Sequence, residues 1–276
     1  PVRENYRTNI VGNLITSTTD FNITIEEGFV EDESATDDIV SNEYLVVDNV
    51  ADAVSAYANK KTHVAINYIV DGGNIDIPST AKETLYLQLP DVNAEFTVNV
   101  PQEVKKLNIT VPNTDESNVG LDLIVVAPYS TVEIKDSQLK TINGTTAQNT
   151  LILNGVTVNE VVVEQGNVVV ENDSAVGGIA PGEGVDASKI TIYVDDSSAD
   201  GTEAVDDRFT VIEEDGDIKF ITSASKLQQL AELVNGGNNF AGQTITLLAD
   251  IDLNNVEWTP IGNSSNPFSG TFDGNN

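Results

Sequence analysis

The residues best spaced for chemistry are Asp196-Ser-Ser-Ala-Asp-Gly-Thr-Glu-Ala-Val-Asp-Asp207. Oxygen donors stand at the first, third and fifth positions (Asp196, Ser198, Asp200), Gly201 at the sixth, and the carboxylate of Asp207 at the twelfth. A hard divalent cation needs convergent oxygens around a Gly turn, so the spacing predicts a metal site, with calcium the one cofactor the chain suggests. Two departures weaken the pattern: Glu203 replaces the usual apolar residue at position eight, and Asp207 replaces a bidentate Glu. The strand-like Lys189-Ile-Thr-Ile-Tyr-Val194 also precedes it where such loops follow a helix.

Other constellations are thinner. Glu133, Asp136, Glu160, Glu164 and Glu171 offer carboxyls for hydrolysis, which requires two at a set separation and, for sugars, aromatic walls. Aromatics are only 6% of residues and Trp258 is the sole Trp. A lyase would need a Lys or Arg to take a proton beside a metal-bound uronate, and within 107–188 the bases are Lys135 and Lys140. His63, the one histidine, has no Ser or Cys nucleophile in a motif beside it and is expected to be an edge residue satisfied by hydrogen bonds. No Gly-rich loop follows a strand and opens a helix, so nucleotide binding has no basis. The expectation is a protein without catalytic residues.

The elements that must position these groups are mostly strands. Leu85–Leu89, Leu107–Val111, Val132–Ile134 and Leu151–Leu153 start about 19 to 25 residues apart, the length of one turn of a β-helix. Phe96–Val100, Leu121–Val126, Val161–Val163 and Val168–Val170 interleave with them, rich in β-branched residues. Asn143-Gly144 and Asn154-Gly155 read as tight turns. Two stretches switch to helical spacing. In 47–59, Val47, Val50, Val54 and Tyr57 share a face and Asp48 is placed to cap. Near the end, Ser225 and Gln228 form a capping box ahead of Leu227, Leu230, Ala231 and Val234, and Thr244–Leu253 is the strand that follows. A short helix can plug the open end of a stack of strands. The pattern predicts an all-β chain, a right-handed parallel β-helix (solenoid) with short capping helices; the alternative is an antiparallel β-sandwich.

Composition bounds the partners. The chain has 276 residues, 44 acids and 13 bases, a net charge of −31. Such a field repels nucleic acid and anionic membranes. There is no Cys, and no apolar run approaches the roughly 18 residues that span a bilayer. Met is absent and residue 1 is Pro, which reads as a mature form or a cut-out segment. A Gly- and Pro-rich stretch with Gly177, Gly178, Pro181, Gly182 and Gly184, then an acid-rich run from Asp195 to Asp217, mark a module boundary. The expected domains are an N-terminal strand segment at 1–39, a β-helix module at 40–190, and a connector with a second module at 191–276.

Three segments carry a resemblance. Asp250-Ile-Asp-Leu-Asn-Asn-Val-Glu-Trp-Thr-Pro-Ile-Gly262 and Phe268-Ser-Gly-Thr-Phe-Asp-Gly274 resemble the lead-in to GLUG-type repeats of bacterial surface proteins, with the second module starting near 208 and truncated. Asn5-Tyr-Arg-Thr-Asn-Ile-Val-Gly-Asn-Leu-Ile-Thr16 resembles the closing strands of fimbrillin-like domains of gut-dwelling Gram-negative bacteria; a hairpin packing on the next domain is the other reading. Asp173-Ser174-Ala175 is similar to an O-glycosylation acceptor of such organisms. The resemblance implies an adhesin-like surface protein with a pectin-lyase-like β-helix, outer-membrane-anchored or secreted, in which Trp258 packs. Expected partners are a glycan or a host surface protein, with the chain itself monomeric. The competing expectations are a β-helix polysaccharide lyase or glycoside hydrolase, and a purely structural spacer.

Overall fold

The computed structural model describes residues 44–69, 72–112, 120–253 and 257–275, which fall within one compact unit. The expected N-terminal segment 1–39, with its strands at 6–15 and 21–25, lies outside the described residues. The chain enters through β1 (Leu45–Val47) and α1 (Val50–Ala58). It then winds through β2 (His63–Ile66), β3 (Gly73–Asp76), β4 (Glu83–Gln88), β5 (Glu95–Asn99), β6 (Val104–Thr110) and β7 (Leu121–Val126). A long extended run, β8 (Thr131–Glu171), is followed by β9 (Ala175–Val176), β10 (Ile179–Pro181), β11 (Thr191–Val194) and β12 (Thr210–Glu213).

These twelve strands make one sheet in which alternate strands pair, β1-β2-β4-β6-β8 in one ladder and β3-β5-β7-β8 in the other. Each partner lies one winding further along the chain. Leu85 opposes Leu107, which opposes Val132; Phe96 opposes Leu123, which opposes Ile142. All six side chains are buried, so like residues stack on like in the interior. Every strand pairing among the described residues is parallel, which excludes the antiparallel sandwich. The all-β, parallel architecture is compatible with the expected β-helix.

β8 cannot be straight, because 41 extended residues would reach roughly 135 Å. It pairs with β6 through Thr131–Lys135, with β7 through Leu139–Thr145 and with β11 through Val168–Val170, so it passes from ladder to ladder. Left-handed backbone at Asp136, Gly155 and Gly166 interrupts its extended course. The expected turn at Asn143-Gly144 is instead strand: both residues pair with β7. A Cβ at Gly144 would sit 2.9 Å from a terminal methyl of Leu151, which would have to shift to admit it.

α1 packs Ala53, Ala56 and Tyr57 against the first strands of the stack. Its N-cap is Asn49 rather than the expected Asp48: the Asn49 side chain accepts from the Asp52 N–H at 3.0 Å, which fixes the start one residue later. The parallel ladder also runs past residue 190. β11 pairs in register with both β8 and β12, so the segments expected in the connector and at the start of the second module, including 208–212, extend the stack.

A second, three-stranded parallel sheet follows: β13 (Phe220–Ile221), then helix α2 (Ala224–Asn235), then β14 (Thr244–Leu247) and β15 (Thr271–Asp273). Leu230 and Val234 of α2 pack with Ile221, Phe240 and Ile245. Ser223, not Ser225, caps α2, accepting from the Lys226 N–H at 3.2 Å; its extended backbone ends the strand two residues earlier than the Ser225–Gln228 pair predicts. Half-buried Trp258 lies in the loop before β15.

Candidate functional site

The site begins with side chains that point out of the stack. Ile152, Val169, Tyr193 and Ile212 come from successive windings, and Tyr193 opposes both Val169 and Ile212. Instead of meeting solvent they meet Phe220, Leu248 and Ala249, with the Tyr193 and Phe220 rings 5.5 Å apart edge-to-face. The small sheet is thus laid against the outside of the large one. Beside this apolar seam the two surfaces diverge into a cleft of about 600 Å³. Its stack side carries Thr84, Tyr86, Lys106, Glu133 and Glu171; its other side carries Thr222, Ser225, Asp250 and Asp252. An adjoining hollow of about 330 Å³ shares Lys105 and Asp250 and adds the exposed Tyr129.

The charges in and behind the cleft are largely committed to one another. The Glu133 carboxylate takes Lys106 Nζ at 2.6 Å and Asn154 Nδ2 at 2.9 Å. Buried Glu171 accepts from the Thr222 hydroxyl at 2.7 Å across the seam. Burial pushes the Glu171 carboxyl above its usual range, against the Thr222 hydrogen bond and the Lys226 charge, while Glu133 and Asp195 add to the rise. Lys226 lies over the Phe220 ring at 3.5 Å and pairs with Glu214 at 3.0 Å. Glu214 also accepts the Lys219 N–H at 2.9 Å, and its own N–H donates to the Val194 carbonyl, so it ties the small sheet to the last windings.

Among the five candidate carboxylates, Glu133 and Glu171 reach this cleft; Asp136, Glu160 and Glu164 do not line it. Lys140 is paired with Asp122 at 2.6 Å and Lys135 with Asp136 at 4.0 Å. Burial works against the Asp122 charge, but hydrogen bonds from Lys140 and Thr141 outweigh it and hold the carboxyl below its usual range. His63 meets the Thr62 hydroxyl at 3.0 Å through Nδ1 and stacks on Tyr86 at 4.0 Å; burial lowers its basicity.

The acid-rich loop with the calcium spacing is built as a corner of the stack. Ser198 is buried, and its hydroxyl accepts the Ser174 N–H at 3.1 Å. Asp196 accepts the Gly216 N–H at 2.9 Å, while Asp200 and Asp207 are exposed. Among the described residues no three carboxylate or imidazole side chains gather as a metal-holding group. Gly201 has a packing reason to be glycine: a Cβ there would lie 2.7 Å from the Ser174 carbonyl. The acids that do shape this loop are Asp195, which accepts the N–H groups of Asn172 and Ser198, and Asp206, held down to about 2 by hydrogen bonds from Arg208. Ser174, in the glycosylation-like tripeptide, is buried, with its hydroxyl donating to the Glu171 carbonyl at 2.7 Å and accepting the Val156 N–H at 3.0 Å, so it is no exposed acceptor.

Lys105, Thr222, Asp250 and Tyr129 are cleft residues that spacing alone does not single out. A partial signal exists: Thr84, Lys106 and Thr131 fall one winding apart and are paired in register, so they share a column on the outside of the stack. No family model, no curated protein and no solved structure matches this chain.

Proposed function

We propose that this chain is a non-enzymatic, extracytoplasmic surface protein whose rigid β-solenoid displays contact surfaces to a glycan or a host protein. The observation that carries the reading is the state of the cleft carboxylates. Glu133 is engaged by Lys106 and Asn154, and Glu171 by Thr222, so both serve the fold and neither is held towards a reacting bond. A hydrolytic pair needs one carboxyl poised as acid and the other open as base or nucleophile. Stiffness follows from the parallel ladder, in which each winding is fixed by backbone hydrogen bonds to the next. Among the described residues no helix is long and apolar enough to cross a membrane.

A second reading, a β-helix carbohydrate-active enzyme, draws on one feature: Glu133 and the raised Glu171 share a cleft with Asp250 and Asp252. One experiment separates the two. The purified chain is screened on a glycan array, with and without calcium, and the same glycans are incubated with it and analysed for products. Saturable binding without cleavage supports the adhesin and reports on calcium. Released oligosaccharide overturns it in favour of the enzyme. Binding to neither glycan nor host protein leaves a spacer as the role.

A further inference from the structure

In a chain with 44 acids and 13 bases, three lysines line one small pocket at the first end of the stack. Lys60 and Lys61 leave the C-terminus of α1, and Lys82 arrives from the connection into β4, one winding later. The pocket encloses about 310 Å³ over a floor of buried Tyr57, Ala81 and Leu85. Glu83 is the one acid in its lining, so the local charge is +2. Among the described residues none of these three exposed ammonium groups has an ion-pair partner, nor has Lys105, whereas Lys106, Lys135, Lys140, Lys189, Lys219 and Lys226 all do. The carbonyl end of α1 favours Lys60 and Lys61, but Lys82 belongs to no helix.

Lys60 and Glu83, both lining this pocket, adopt left-handed conformations with φ of 63° each. Just past a helix C-terminus that conformation is the usual place for glycine, which takes it without strain. At Lys60 it closes α1, with the Lys60 N–H bonded to the Tyr57 carbonyl and the Lys61 N–H to that of Ala56, and it sets a lysine in the pocket lining where glycine would serve the turn without strain.

We propose that this pocket binds a single oxyanion group, a sulfate, phosphate or carboxylate, brought either as the free ion or on the end of a short saccharide. Thr80 stands in the same lining beside the lysines, as does Thr62, whose hydroxyl is already engaged with His63 Nδ1. The net charge of −31 decides the size of the ligand. Within a Debye length of about 8 Å the pocket lysines dominate, whereas a long polyanion or an anionic membrane meets the repulsive field of the whole surface. The site is separate from the cleft and stands whether or not the adhesin reading does.

The test titrates the intact chain with sodium sulfate at constant ionic strength, following heat release and melting temperature. A saturable response is expected in wild type, weakened about fivefold by Lys82→Gln and further in Lys60→Gln/Lys61→Gln/Lys82→Gln. Because sulfate stabilises many proteins non-specifically, an equal response in wild type and triple variant overturns the proposal, as does a response no different from chloride. Lys60→Gly sharpens the test: it should raise the melting temperature by relieving the left-handed residue while weakening sulfate binding. A sulfated disaccharide compared with its unsulfated form then separates the sources. Tighter binding than free sulfate assigns the group to a saccharide end, and equal binding assigns it to the ion.

Discussion

The interior of the parallel stack and the seam where the small sheet lies against it are held by different physics. Inside, Leu85, Leu107 and Val132 stack in register, so that Leu107 is supported from both sides. At the seam nothing repeats. A few apolar side chains meet Phe220, Leu248 and Ala249, and beside them lie buried charged groups, Glu171 and Glu214 facing Lys226. Repetition fixes each interior residue between like neighbours, whereas the seam depends on single residues with unique partners. The seam is therefore where this molecule is expected to loosen first.

The largest effect should come from the interior. Leu107→Ala removes buried side-chain atoms between two fixed neighbours that cannot collapse inward, and is expected to cost about 2–5 kcal/mol in urea unfolding. A loss below about 1 kcal/mol would mean the windings relax easily and the contrast with the seam is weaker than drawn.

Next comes the seam. Glu214→Ala leaves Lys226 buried without its carboxylate and frees the Lys219 N–H, at an expected cost of about 2 kcal/mol. Amide exchange should quicken in α2 and β13 and stay slow at Leu107. Equal acceleration in both regions would show that stack and small sheet open as one unit.

The smallest effect is a pH dependence at Glu171. Burial raises this carboxyl, more than Thr222 and Lys226 lower it. A carboxyl raised in the folded state binds its proton more tightly there than in the unfolded chain. Its contribution is complete below the ordinary carboxylate range and is lost as pH climbs through the elevated native value. Glu171→Gln, which keeps the shape without the charge, should match wild type in acid and exceed it towards neutral pH, by less than the Glu214→Ala effect. Melting curves across that range decide the matter: a wild type more stable than the variant at neutral pH would make the ionised carboxylate the stabilising form.

Where the two regions differ in construction they also differ in how readily they are read. Leu121–Val126 and the inward residues of β4, β5 and β6 follow from alternation and from the spacing of similar segments, because the stack must bury the same face at every winding. Helix caps were legible to within two residues. Asp48 and Asn49, or Ser223 and Ser225, are chemically equivalent caps, and only the extended backbone of Asn49 and Ser223 chooses between them. The acid-rich loop shows a related limit of spacing. Spacing records which oxygens are available, but Ser198 spends its hydroxyl on the Ser174 N–H and Asp196 on that of Gly216, partners 24 and 20 residues away.

Composition and periodicity therefore settled the class of fold, the residues of its interior and the acidic character of the chain. Those properties are additive along the chain: each strand declares its buried face and each charge adds to the field. The seam, the cleft and the lysine pocket are set only when the chain is wound. Thr222 reaches Glu171 across 51 residues, and Lys82 comes to Lys60 because one winding separates them. Such pairs have no local pattern, since what joins them is the path of the backbone between, and that path is decided by the packing of the whole stack.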